Sequence, residues 1–162
     1  RRQRQMCIRD RYDRIHKANP NVALKPHYLY DTNVVILTLF PGIQENMIRN
    51  ILHTPGLRAV VLKTYGSGNA PQKPWFIDLL KEATDRGIVI INISQCSTGS
   101  VEMGRYETGL HLLDAGVISG YDSTVESVLT KLMFLLGHGK NESEIRHQMS
   151  IPVAGEFTIP TM

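Results

Sequence analysis

Lys63-Thr-Tyr-Gly-Ser-Gly-Asn-Ala-Pro71 is the stretch on which the reading of this chain turns. It follows an apolar run, Ala59-Val-Val-Leu62, and precedes a segment with helical periodicity. A strand that stops at Gly-x-Gly-Asn sets backbone amides and a carboxamide at the tip of a sheet. Glycine admits positive φ and lets another molecule come close to the backbone. Asn69 brings two donors and one acceptor, a set that suits another amide or an α-amino acid. Gly-x-Gly after a strand is also a common plain turn. The third glycine of a dinucleotide fingerprint would fall at Pro71, and no P-loop lysine follows, so a nucleotide site is not indicated.

Outward from this turn, apolar strand-like runs alternate with helical patterns. Asn33–Phe40 is β-branched and apolar on both faces, the pattern of a central strand covered on both sides. Met47, Ile48, Ile51 and Leu52 share one face of a helix expected over 44–53. The second strand is expected at about 59–65. Pro74 suits the first turn of the next helix, whose stripe is Phe76, Leu79, Leu80 and Ala83, with Gly87 as its C′ residue. Ile88–Ile93 is the third strand, followed by Ser94-Gln-Cys-Ser-Thr-Gly99. A helix over 104–115 closes at Gly116. Ser123-Thr-Val-Glu126 is a capping-box pattern opening a helix with Val125, Val128, Leu129, Leu132, Leu135 and Leu136 inward. Gly137 and Gly139 end it, and a short helix is expected near 142–149.

This order predicts an α/β, Rossmann-like fold: a parallel sheet of about three to four strands flanked by helices, with right-handed crossovers. Ligands of such sheets bind beyond the carboxyl ends of the strands. Those ends are Phe40-Pro-Gly42, Tyr65 to Asn69, and Ser94 to Gly99, and the last two are dense in small polar groups.

The chain has 162 residues, 42% hydrophobic and 20% charged, enough for one domain with its own core. Residues 1–11 hold five arginines and one aspartate. A net of +4 there, out of +3 overall, leaves −1 for the rest. The basic balance therefore belongs to a tail and argues against a nucleic-acid partner. That tail reads as non-native sequence or a disordered arm. Residues 12–32, with Pro20 and Pro26, read as a linker from a missing N-terminal domain, 33–150 as the folded domain, and 151–162 as an extended tail. Cys7 lies in the basic tail, and a lone Cys96 suits a reducing compartment. No apolar run reaches the ~18 residues of a membrane span, and the chain reads as cytoplasmic.

Catalytic patterns are missing. There is no G-x-S-x-G, and the six histidines are scattered without metal-ligand spacing, which suits surface or capping roles. Cys96 has no base in view in the sequence and reads better as a small buried or half-buried residue than as a nucleophile. A pocket rim without a catalytic centre is expected of part of a larger enzyme.

Several motifs in order carry a resemblance: Tyr65-Gly-Ser-Gly-Asn-Ala-Pro71, Asp85-Arg-Gly-Ile-Val89, Gln95-Cys96, Met103-Gly104, Ala115-Gly-Val-Ile118 and Thr130-Lys-Leu132. Together they resemble the C-terminal domain of type I, cytosolic L-asparaginase, through 33–150. The resemblance implies hydrolysis of L-asparagine to L-aspartate and ammonia by the full enzyme, without a cofactor. It implies that the nucleophilic threonine, in a Thr-Gly-Gly-Thr segment, belongs to an N-terminal domain. That motif is not in this chain, so no catalytic residue is assigned and the chain alone is expected to be inactive. It implies homodimers or homotetramers in which Asn69 approaches the substrate of a neighbouring subunit. A plain role for Asn69 is to cap the helix that follows.

Some bacterial members bind asparagine at an allosteric site, with an arginine matching position 63 and a cysteine matching position 96. Here Cys96 is kept and Lys63 replaces the arginine. Lysine keeps the charge but not the planar bidentate grip on a carboxylate. Ser94 and Glu126 are expected to line the same cavity, while Lys63 as a surface lysine stays an alternative. Two further readings stand beside this one. One is a stand-alone amino-acid-binding or interaction module. The other is the asparaginase-like subunit of a tRNA-dependent amidotransferase, which the net of −1 does not favour. If domains or subunits are missing, exposed apolar surface and self-association are expected.

Overall fold

In the computed structural model, four strands among the described residues run parallel in strictly sequential order: β1 (Val34–Thr38), β2 (Ala59–Thr64), β3 (Val89–Ser94) and β4 (Ile118–Ser119). The structure describes residues 17, 19–104 and 107–159. The basic tail 1–11, with Cys7, lies outside them. Val34 pairs with Ala59, Ala59 with Val89, and Ile91 with Ile118. The helices are α1 (Glu45–Leu52), α2 (Pro74–Asp85), α3 (Glu107–Asp114), α4 (Val125–Gly137) and α5 (Glu142–Met149).

Alternation along β2 divides the core in two. Val60 and Leu62 join Ile48, Leu52, Phe76, Leu80 and Leu112, the layer of α1, α2 and α3. Ala59 and Val61 join Val128, Leu132, Leu136, Ile145 and Met149, the layer of α4 and α5. The topology accounts for this division. Same-handed crossovers that always step in one direction put every intervening helix on one face. The second face must be covered by the chain beyond β4. The sequence reading of an α/β parallel sheet therefore holds.

The expectation for the first strand fails. The run 33–40 is not a central strand covered on both sides. Among the described residues β1 pairs only with β2, and Ile36 is 44% exposed. Leu37 and Leu39 are buried against the helices of the first layer. Side-chain hydrophobicity alone does not tell a central strand from an edge one. The central positions go to β2 and β3, buried along nearly their whole length.

Helix ends follow local chemistry. Gly87, at φ +85°, donates to Thr84 O (2.9 Å), and Ile88 donates to Ala83 O (3.1 Å). That pair of bonds is the Schellman closure, and it needs a left-handed residue at C′. At α4 the expected capping box Ser123–Glu126 does not form. The N-cap is Thr124, whose Oγ1 accepts the Ser127 N–H at 3.2 Å. The frame is one residue later, and its N3 residue is Ser127, with no carboxylate to reach back. A reciprocal capping box exists instead at α5, between Asn141 and Glu144, with bonds of 2.9 and 3.0 Å.

The segment 19–33 carries no helix or strand and runs over α4. There the Asp31 N–H donates to Met133 O at 3.0 Å. Val22, Leu24, Tyr28, Leu29 and Tyr30 along it are exposed. Residues 151–159, beyond α5, have no helix or strand, yet Phe157 is buried. Among the described residues no helix is long and apolar enough to cross a membrane.

Candidate functional site at the carboxyl ends of the strands

The Gly-Ser-Gly-Asn turn closes on itself. Tyr65 and Asn69 exchange backbone bonds of 2.8 Å each, and Gly68 N–H donates to Tyr65 O at 3.0 Å. Gly68 has φ +110°, and a Cβ there would lie 2.9 Å from Cγ1 of Val101. Both the backbone angle and the β-branched neighbour demand glycine. Beneath the turn, buried Thr64 donates from Oγ1 to Asn92 Oδ1 at 2.7 Å, tying the tips of β2 and β3. The buried Nδ2 of Asn92 makes no hydrogen bond within the described structure. Asn69 stands exposed at the outer end of the turn. It does not cap α2, whose N-cap is Lys73 without a side-chain cap.

Lys63, Ser94, Cys96 and Glu126 line one cavity of ≈ 270 Å³. They arrive from three places in the chain. Lys63 is near the end of β2, Ser94 ends β3, Cys96 lies two residues further on, and Glu126 is in the first turn of α4. The Ser94 hydroxyl donates to Gly66 O at 2.5 Å and accepts the Cys96 N–H at 3.0 Å. Gln95 Nε2 donates to Leu39 O (2.6 Å) and Lys63 O (3.0 Å), stapling three strand ends together. Cys96 is exposed, not buried or half-buried as expected, because it sits on the loop past the end of β3, and its thiol is free. Asn69 is not part of this cavity.

Asp122, Ser123 and Thr124 also line it; the sequence marked Ser123 and Thr124 only as a helix start and Asp122 not at all. Their signal was positional. They lie between β4 and the N-terminus of α4, a place that faces the strand ends. The Thr158 N–H on Asp122 holds that carboxyl below the usual carboxylate range, with partial burial pulling the other way. The cavity thus offers an ammonium at Lys63, the positive end of the α4 dipole, and two carboxylates at Asp122 and Glu126. Charges of both signs in so small a space complement a zwitterion.

Trp75 is half-buried, edge-on to Phe76 at 5.9 Å. It borders a second hollow of ≈ 490 Å³ beneath Phe40-Pro-Gly42. The histidines take surface and helix-end roles: His53 bonds Arg49 O (2.8 Å) and Glu82 (2.9 Å), and His138 bonds Phe134 O (2.8 Å). His16 lies outside the described residues. Among the described residues no group of three or more His, Cys, Asp or Glu is placed to hold a metal.

Fold and site define the class: a parallel α/β domain with a mixed-charge, small-molecule-sized cavity at its strand ends. Residues 33–149 match the Glutaminase/Asparaginase C-terminal domain, and the chain belongs to that family. It is 46% identical over 132 residues to L-asparaginase 1 of Escherichia coli K12, covering 82% of this chain and 39% of that protein. It is 37% identical over 149 residues to the human 60 kDa lysophospholipase, covering 91% of this chain and 26% of that one. The crystal structure of L-asparaginase I from Vibrio cholerae superposes with a TM-score of 0.80 at 41% identity, covering 86% of this chain and 42% of that one. The chain therefore spans less than half of the length of these relatives.

Proposed function

We propose that residues 33–150 are the C-terminal domain of an L-asparaginase that hydrolyses L-asparagine to L-aspartate and ammonia. In that enzyme an N-terminal domain supplies the nucleophile. This domain supplies the subunit interface of a cytoplasmic homodimer or homotetramer, the Asn69 turn that reaches a neighbouring active site, and a binding site for L-asparagine as effector. Family membership supports the hydrolase reading, because two of the three relatives are named asparaginases.

The observation that carries the effector reading is the convergence of Lys63, Ser94, Cys96 and Glu126 on one cavity. Lys63 and the α4 N-terminus suit an α-carboxylate. Asp122 and Glu126 suit an α-ammonium, and Ser94 offers a hydroxyl within the same walls.

Calorimetric titration of the purified chain with L-asparagine tests this, beside a Lys63→Ala variant. Saturable binding that the variant loses supports the effector site. Absence of binding to the parent chain removes it and leaves the domain as an interface element. An ammonia-release assay on the same protein should read zero. Turnover by this chain alone would contradict a nucleophile supplied from elsewhere.

A further inference from the structure

Residues 151–159 have no helix or strand, but they are fastened at several points. Lys131 on α4 donates from Nζ to Ile151 O (2.6 Å) and to Glu156 Oε1 (2.6 Å). Both side chains of that ion pair are largely shielded, at 11% and 14% exposure. Glu156 in turn accepts the N–H groups of Val153 (3.2 Å) and Ala154 (2.8 Å), closing the segment on itself. Lys131 Nζ also lies 5.3 Å from the centre of the Phe157 ring. Phe157 stacks on Tyr121, with centroids 5.1 Å apart and planes 12° off parallel. The Thr158 N–H then donates to Asp122 Oδ1 at 2.6 Å.

The two residues that receive the segment are not neutral ground. Asp122 lines the mixed-charge cavity. Tyr121 has φ +53°, the one positive φ on a non-glycine among the described residues. Such a conformation costs energy and persists only where its surroundings enforce it. Here Phe157 covers the ring, the Tyr121 N–H donates to Ser119 Oγ (3.1 Å), and Tyr121 O accepts the Val101 N–H (3.0 Å). Val101 is the residue whose side chain abuts Gly68, and the neighbouring Glu102 N–H donates to Ser67 O at 3.2 Å. One loop, Gly120–Thr124, therefore touches the C-terminal segment, the cavity wall and the support of the glycine turn.

We propose that residues 151–159 are a strap that fixes the Gly120–Thr124 wall of the cavity and, through Val101, the seat of the Gly66–Asn69 turn. With the strap docked, Tyr121 is held in its strained conformation and Asp122 is turned to the Thr158 amide. With the strap released, Tyr121 relaxes, Asp122 loses its donor and the wall loosens. That the cavity binds L-asparagine rests on the preceding proposal; that the strap sets the wall does not.

The experiment combines amide exchange with calorimetry on the full 162-residue chain, using the parent, Phe157→Ala, and a chain ending at Ser150 as the second variant. Circular dichroism confirms that each is folded. The expected result is faster exchange at 120–124 and at 100–102 in both variants, with β2 and β3 unchanged. L-asparagine affinity should fall roughly two- to tenfold in Phe157→Ala, the weight of one stacked aromatic pair. Unchanged exchange at 120–124 in the shortened chain overturns the strap. If the parent binds no L-asparagine but the wall still loosens in the variants, the effector reading fails and the strap stands.

Discussion

The Ser94 hydroxyl lies 2.5 Å from the carbonyl of Gly66 and donates to it, while accepting the Cys96 N–H at 3.0 Å. One side chain thereby belongs both to the cavity and to the glycine turn. Replacing it with alanine removes both bonds. Ser94→Ala is expected to lower stability by roughly 0.5–1.5 kcal/mol, read as a shift in the urea midpoint. Exchange protection should be lost at 66–69. A variant with the parent's midpoint and an equally protected turn would show that the hydroxyl bonds nothing of consequence.

Position 63 tests the chemistry of the cavity. Arginine there restores a planar fork in place of a point charge. Lys63→Arg is expected to bind L-asparagine roughly two- to tenfold more tightly, the worth of one added net hydrogen bond. Calorimetry decides it, and weaker binding in the arginine variant would mean that Lys63 does not face the ligand carboxylate.

Gly68→Ala places a Cβ 2.9 Å from Val101 Cγ1 at φ +110°. A loss of about 1–3 kcal/mol is expected from the backbone alone. The double variant with Val101→Ala relieves the clash but not the angle, so it should recover only part of that loss. Full recovery in thermal melts would mean that the angle carries no cost.

Glu156 gives a pH signature. Burial alone would raise its pKa, but the Lys131 ammonium and the N–H groups of the segment outweigh it. They bring it from the ordinary 4.5 down to about 2. A depressed acid stabilises the fold fully above its unfolded value, and the benefit drains away as pH falls through the folded one. The Tm gap between parent and Glu156→Gln should therefore be widest near neutrality and should shrink as pH drops from 4.5 towards 2. A gap independent of pH would show that the carboxylate is not what holds the segment.

Much of this architecture was legible because it is written locally. Gly87 marks a Schellman closure within six residues, and Pro74 marks a first turn. The run Ala59–Leu62 and the run Val89–Ile93 have the density of strands buried on both faces. The illegible part depends on neighbours distant in sequence. Nothing in Asn33–Phe40 says that β1 lies at the edge. Nothing around Glu156 points to Lys131, which is 25 residues away, so a docked segment read as an extended tail. The cavity was half legible. Lys63, Ser94, Cys96 and Glu126 came from resemblance to a family, and the structure brings them to one cavity. Asp122 escaped because its part depends on where β4 ends, and β4 has only two residues.

The strict β1-β2-β3-β4 order has a consequence for biosynthesis. As the chain leaves the ribosome, each strand up to β4 emerges with the helix that covers its first face. The other face, with Ala59, Val61, Val89, Ile91 and Ile93, waits for α4 and α5, and so for residues 125–149. Until those arrive, half the sheet is an uncovered apolar surface, the kind of nascent intermediate that chaperones hold and proteases clear. A chain that stopped between β4 and α4 would keep that face uncovered for good.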